Sequence, residues 1–147
     1  MGKLARRYGA IPDAPEVPAL ACRRSSFEVA RENAVEGCVR ETFGALIAWQ
    51  QATLARDPAV RQAMCMIAAD ETRHAELSWA IAGWLEPQLP AREQAALHAE
   101  RASALAQLSA EIAADSLASD ARAEIGWPSA AQQQALLQHM AGELGLG

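Results

Sequence analysis

Hydrophobic positions repeat along this chain at helical spacing, and the repeat breaks at a few chemically interesting places. From Val60 the steps alternate between four and three residues: Val60, Met64, Ile67, Glu71, His74, Ser78, Ile81 and Leu85. Such a 4-3 step is the seam of a helix packed along its length. It predicts a helix that Asp57-Pro58 opens, as cap and first helical position, and that Pro87 and Pro90 end near Glu86. An earlier helix is predicted from about Ser26 to Arg56, capped by Ser25 or Ser26 with Glu28 in its first turn. Its stripe is Val29, Glu32, Glu36, Val39, Phe43, Leu46 and Ile47. A third, Ala-rich helix is expected over roughly 91–117, with Leu97, Leu105, Leu108, Ile112 and Leu117 as covering residues. A polar loop with Ser119, Asp120 and Gly126 follows, then a short helix over about 129–144 opened by Pro128-Ser129. At the other end "KLARRYGA" reads as a helix stopped near Gly9. Pro12, Pro15 and Pro18 make residues 1–24 an extended lead-in to a helical domain over 25–147.

Composition agrees with an all-α fold. Of the 147 residues 51% are hydrophobic, much of that Ala, and only 5% are aromatic. Ala has the best helix propensity, and runs of β-branched and aromatic residues that would read as strands are absent. The length is enough for one domain with its own core. A net charge of −5 without a basic face argues against nucleic acid as a partner. Cys22, Cys38 and Cys65 are odd in number and lack CxxC spacing, so reduced thiols are expected rather than a disulfide framework. No stretch is apolar enough to span a membrane, and the first residues show no signal-peptide core, so the expected location is cytoplasmic.

The breaks in the two seams carry the chemistry. Five of the eight positions from Val60 to Leu85 are large and apolar, and they bracket Glu71 and His74. Three residues turn a helix by about 300°, so both side chains face one side, about 5 Å apart along the axis. Glu36 interrupts the first stripe in the same way. Glu32, a turn nearer the helix start, is expected in solvent, and Glu41 falls on another face beside Gly37, Ala34, Ala45 and Ala48. Desolvating an unpaired carboxylate costs several kcal/mol. These groups must therefore satisfy one another, share a cation, or stay wet. A Glu on one helix and Glu-x-x-His on the next form the half-site of a carboxylate-bridged di-metal centre in a four-helix bundle. Mixed oxygen and nitrogen donors suit iron or manganese, with zinc possible. The plainer alternatives are a hydrogen-bonded Glu–His pair and an exposed helix face.

"ENAVEGCVRETFGAL" (Glu32 to Leu46) followed by "DPAVRQAMCMIAADETRHAELSW" (Asp57 to Trp79) resembles the ferritin-like, rubrerythrin-type superfamily, and within it a group of bacterial ferritin-like domain proteins. The match covers about residues 26–86, and "IGWPSAAQQQALLQHM" resembles the C-terminal helix of that group. The resemblance implies a ferritin-like helical bundle with Glu36, Glu71 and His74 as metal ligands. It also implies that Asp70 hydrogen-bonds a ligand histidine from across the bundle; the alternative for Asp70 is a surface pair with Arg73. The complete fold carries two such helix pairs, whereas this chain shows one and resembles the C-terminal half. Neither His98 nor His139 sits in Glu-x-x-His, since Ala95 and Leu136 precede them. The missing half is expected from a homodimer or from an N-terminal helix pair; alternatively, the last helices fold back over the seam. The implied function is a di-iron or manganese carboxylate protein that activates O₂ or peroxide, or oxidises Fe(II). The alternative is a metal-free helical scaffold or protein-interaction module. Trp49, Trp79 and Trp84 are expected as packing or interface anchors, and Trp127 as a tack for the last helix.

Overall fold

A computed structural model describes residues 2–11, 13, 16 and 23–146, Leu4 through its backbone alone. The prolines of the expected lead-in, and Cys22, lie outside the described residues. The described residues form six helices and no strand. The first, α1, is Gly2–Arg7. The second, α2, is continuous over 26–54 and consists of Ser26–Glu32, a π-helical stretch Asn33–Glu41, and Thr42–Leu54. Then follow α3 (Pro58–Leu85, extended by a 3₁₀ turn Glu86–Gln88), α4 (Ala91–Ala113), α5 (Ser119–Ile125) and α6 (Ala130–Glu143). No described helix is long and apolar enough to cross a membrane.

Local chemistry starts and stops these helices where the residue pattern places the signals. Ser25 caps α2 in a reciprocal capping box with Glu28, and Ser129 caps α6 with Gln132. Asp57 caps α3 ahead of Pro58. That carboxylate also accepts a hydrogen bond from Tyr8 Oη at 2.8 Å and pairs with Arg7 at 2.9 Å, tying α1 to the α2–α3 turn. Gly9 ends the α1 segment at φ +80°, a conformation that glycine adopts without a Cβ penalty. Residues 119–125, expected as loop, form the two-turn helix α5. Gly126 stops it in the left-handed region, at φ +67°.

Helix α2 is the central element. One of its faces packs with α4 and α6, where Val39, Phe43 and Ile47 meet Ala104, Leu108, Ile112, Leu137 and Met140. Another face receives α3 antiparallel, through small residues. Ala68, Ala75, Ser78 and Ala82 are the buried positions of α3 there, and Gly37 of α2 lies against Ser78. Helices α3 and α4 meet only at one end, where Arg101 pairs with Glu86. The last helices therefore fold back over the α2 stripe, and the middle of the α3 seam, around Glu71 and His74, stays partly open.

Candidate functional site

The π-helical stretch decides where Glu36 points. Within the π-helical stretch Gly37, Cys38 and Val39 are buried in succession, and Val39 opens the stripe that Phe43 and Ile47 continue. In π geometry each backbone bond spans one extra residue, so the face slips relative to a regular count. A stripe stepped at helical period passes through Glu36, and at Glu36 it fails. Val29, Glu32 and Glu36 are exposed, while Val39, Phe43 and Ile47 are buried. The Glu36 side chain is 63% exposed and lies 3.9 Å from Arg40 Nε. Its expected place inside the buried stripe is thus corrected. Glu41, set on another face by the regular count, is the carboxylate at the α2–α3 contact. It accepts a hydrogen bond from Ser78 Oγ at 3.1 Å.

The structure brings Glu71 and His74 together. Their Oε2 and Nδ1 atoms are 3.5 Å apart, and their side chains are 35% and 57% exposed. At the middle of the counted seam His74 is exposed and Glu71 half-buried, which corrects their expected burial. The seam's Val60, Ser78 and Leu85 are buried, as are the small Ala68, Ala75 and Ala82 packed on α2. Glu36 does not join the pair. Trp49 Nε1 donates to Thr72 Oγ1, and Gly44 shares a groove with Glu71. Glu71 therefore stands opposite α2 between residues 44 and 49, and Glu36 lies at least two turns away, about 12 Å along the axis. Asp70 is exposed and ion-pairs with Arg73, its surface alternative. His98 and His139 are exposed on α4 and α6. Among the described residues no three His, Cys, Asp or Glu side chains are grouped for metal binding.

Glu71 lines a groove of about 490 Å³. Its floor is α2, with Phe43, Gly44, Ile47 and Ala48; its walls are Met64 and Ile67 of α3, and Leu108 and Ile112 of α4. Trp127 and Gln133 close one end. The groove exists because α3 and α4 both rest on α2 but diverge from their meeting point at Arg101. At its rim Arg40 makes two hydrogen bonds to the Glu111 carboxylate, at 3.1 and 2.8 Å, which hold that carboxyl below its ordinary pKa. Asp115 at the closed end accepts from Trp127 Nε1 (3.0 Å), Gln133 Nε2 (2.9 Å) and Arg122. These donors hold its pKa far below the usual carboxylate value, Arg122 contributing most. Among the described residues, His74 is the only ion-pair partner of Glu71.

A second polar cluster was missed at the level of residue pattern. Arg101 is 97% buried where the three long helices meet. It pairs with Glu86, approaches Cys38 Sγ at 3.9 Å, and stacks on the Trp79 ring with 5.4 Å to the centroid. Burial pushes the Cys38 thiol pKa up, which favours its neutral form packed among the helices. The signal was present: Leu97, Arg101, Ala104, Leu108 and Ile112 share one stripe, with a cation inside it. This cluster welds the helices together at the end where α3 and α4 touch, and thereby sets the angle at which the groove opens.

No family model matches the chain, and the comparisons found no similar curated protein or solved structure.

Proposed function

We propose that the protein is a helical interaction module built on one ferritin-like helix pair, with the groove between α3 and α4 as its binding site. The observation that carries this reading is the groove itself. Two helices rest on a third, and apolar side chains of all three line the channel between them. A helix is about 10 Å across, so an amphipathic helix of a partner fits a channel floored by one helix and walled by two. Its apolar stripe would meet the half-buried Met64 and Ile67 of α3 and the accessible edges of Phe43, Ile47, Leu108 and Ile112, and a basic residue would meet Glu71. A fluorescently labelled Leu-striped helical peptide with one Lys in the stripe provides the test. Binding is expected to the native protein and to be lost in Gly44→Phe, since a side chain at position 44 points into open space. Equal binding to both proteins, or to neither, contradicts the reading.

A second reading is supported by the 3.5 Å Glu71–His74 contact. In it the pair supplies two ligands of an iron or manganese site, and an incoming helix supplies the others, in keeping with the ferritin-like resemblance. Two ligands leave most of a divalent cation's coordination shell unfilled, so tight binding requires the incoming helix. Mn(II) added to the peptide complex would then broaden the amide signals around Glu71 and His74 and spare those around Glu36. Uniform broadening or none leaves the metal-free module.

A further inference from the structure

Helix α3 carries a second feature, on the side opposite α2. Met66, Leu77 and Trp84 are 64%, 60% and 68% exposed, an unusual load of large apolar surface for one helix face. Asp70 and Arg73 lie between them, 57% and 67% exposed. With Ala59, Ala63 and Ala80 these residues form one heptad seam: 59, 63, 66, 70, 73, 77, 80 and 84, in alternating steps of four and three. Met66 and Glu71 differ by five residues, more than a quarter turn around the helix, so the seam is separate from the groove.

The order of residues in this seam is self-complementary. In an antiparallel pair of identical helices related by a two-fold axis, residue i of one copy meets residue j of the other, with i + j constant. An axis between residues 71 and 72 sets that sum at 143. Every seam position then meets another seam position of suitable chemistry. Asp70 meets Arg73, Met66 meets Leu77, Ala63 meets Ala80, and the small Ala59 meets the large Trp84. Each pairing occurs twice, once on either side of the axis, so an acid–base centre is flanked by apolar layers. The Asp70–Arg73 bridge within one helix is exchanged for two bridges between copies. No other placement of the axis opposes both the charges and the large apolar residues.

We propose that α3 is the contact of a symmetric dimer, a second copy of this chain occupying the seam with its own α3 antiparallel. The charge pattern decides for a second copy over an unrelated helix, because the same residues supply both halves of every pairing. The α3 surface turned toward the groove stays outside the contact, so this assembly is additional to the binding site proposed above. An interface of one helix per subunit is small, so dimerisation is expected at about micromolar concentration.

Sedimentation equilibrium across that range tests the proposal. The native protein is expected to show twice the chain mass. Asp70→Arg alone and Arg73→Asp alone place like charges across the axis and are expected to be monomers, with circular dichroism confirming that each is folded. An equimolar mixture of these two variants restores opposite charges at both central pairings and is expected to return to dimer mass. A monomeric native protein overturns the proposal, whether or not some other protein covers the face. So does a single variant that stays dimeric, or a mixture that stays monomeric.

Discussion

Arg101 shows how a single residue sets the geometry of this molecule. A guanidinium removed from water needs a counter-charge and further partners, and here Glu86, Cys38 and the Trp79 face supply them. They come from α2 and α3, so one side chain of α4 fixes three helices at one point. Removing it leaves Glu86 partly buried without its partner and a cavity beside Trp79. Arg101→Ala is therefore expected to lower the unfolding free energy by about 3 kcal/mol, read from urea denaturation. It is also expected to weaken peptide binding in the groove, because α3 and α4 lose the contact that sets their divergence. A variant as stable as the native protein would show that the cluster is incidental.

Among elements, the π-helical turn in α2 has the largest consequence. It turns Glu36 to solvent, while Glu41 and Gly37 share the face that meets Ser78 of α3. A Cβ at position 37 would fall 2.7 Å from both Asn33 Oδ1 and Ser78 Cβ, whereas one at position 44 meets nothing within 4 Å. Gly37→Ala is therefore expected to destabilise by about 1–3 kcal/mol by overpacking. Gly44→Ala is expected to stabilise by about 1 kcal/mol through helix propensity. Thermal melts of the two variants check the contrast, and the same sign for both would contradict it.

The joint between α4, α5 and α6 rests on Asp115, and its pH response has a definite sign. The folded-state pKa is depressed, so the stabilisation is complete above the ordinary carboxylate pKa of about 3.9 and is lost as pH falls below it. Asp57, held down mainly by its Tyr8 hydrogen bond, acts in the same direction. The urea midpoint should fall below about pH 4, less steeply in Asp115→Asn. A midpoint that is flat in this range would contradict the role given to Asp115.

Element boundaries were legible in the residue order because caps and prolines act locally. Ser25, Asp57-Pro58 and Ser129 start helices where the pattern places them. Helix α5 was read as loop because its two turns are polar and hold no seam. The site was less legible. A regular 3.6-residue count cannot show an extra residue in a turn, so Glu36 was placed with Glu71 across a register that the π turn breaks. The α3 seam is legible in part: Val60, Ser78 and Leu85 are buried on it, whereas the small Ala68, Ala75 and Ala82 beside it pack closely on α2 and His74 stays outward. Glu71 and His74 are neighbours because three residues of helix make them so, whatever lies around them.

For the molecule as a whole, the arrangement is unbalanced. Helices α2, α4 and α6 share a core, while α3 rests on α2 through small residues and turns Met64 and Ile67 to a groove and Met66, Leu77 and Trp84 to solvent. A protein folding for itself alone gains nothing from that apolar surface; one that accepts other helices uses both sides of α3. The central claim, that the groove accepts an amphipathic helix, is tested most directly by amide chemical-shift mapping with the Leu-striped peptide. Shifts are expected to concentrate at Gly44, Ile47, Ile67, Glu71, Leu108 and Ile112, and to be lost in Gly44→Phe. Shifts centred elsewhere, shifts that persist in Gly44→Phe, or no shifts at all would contradict it.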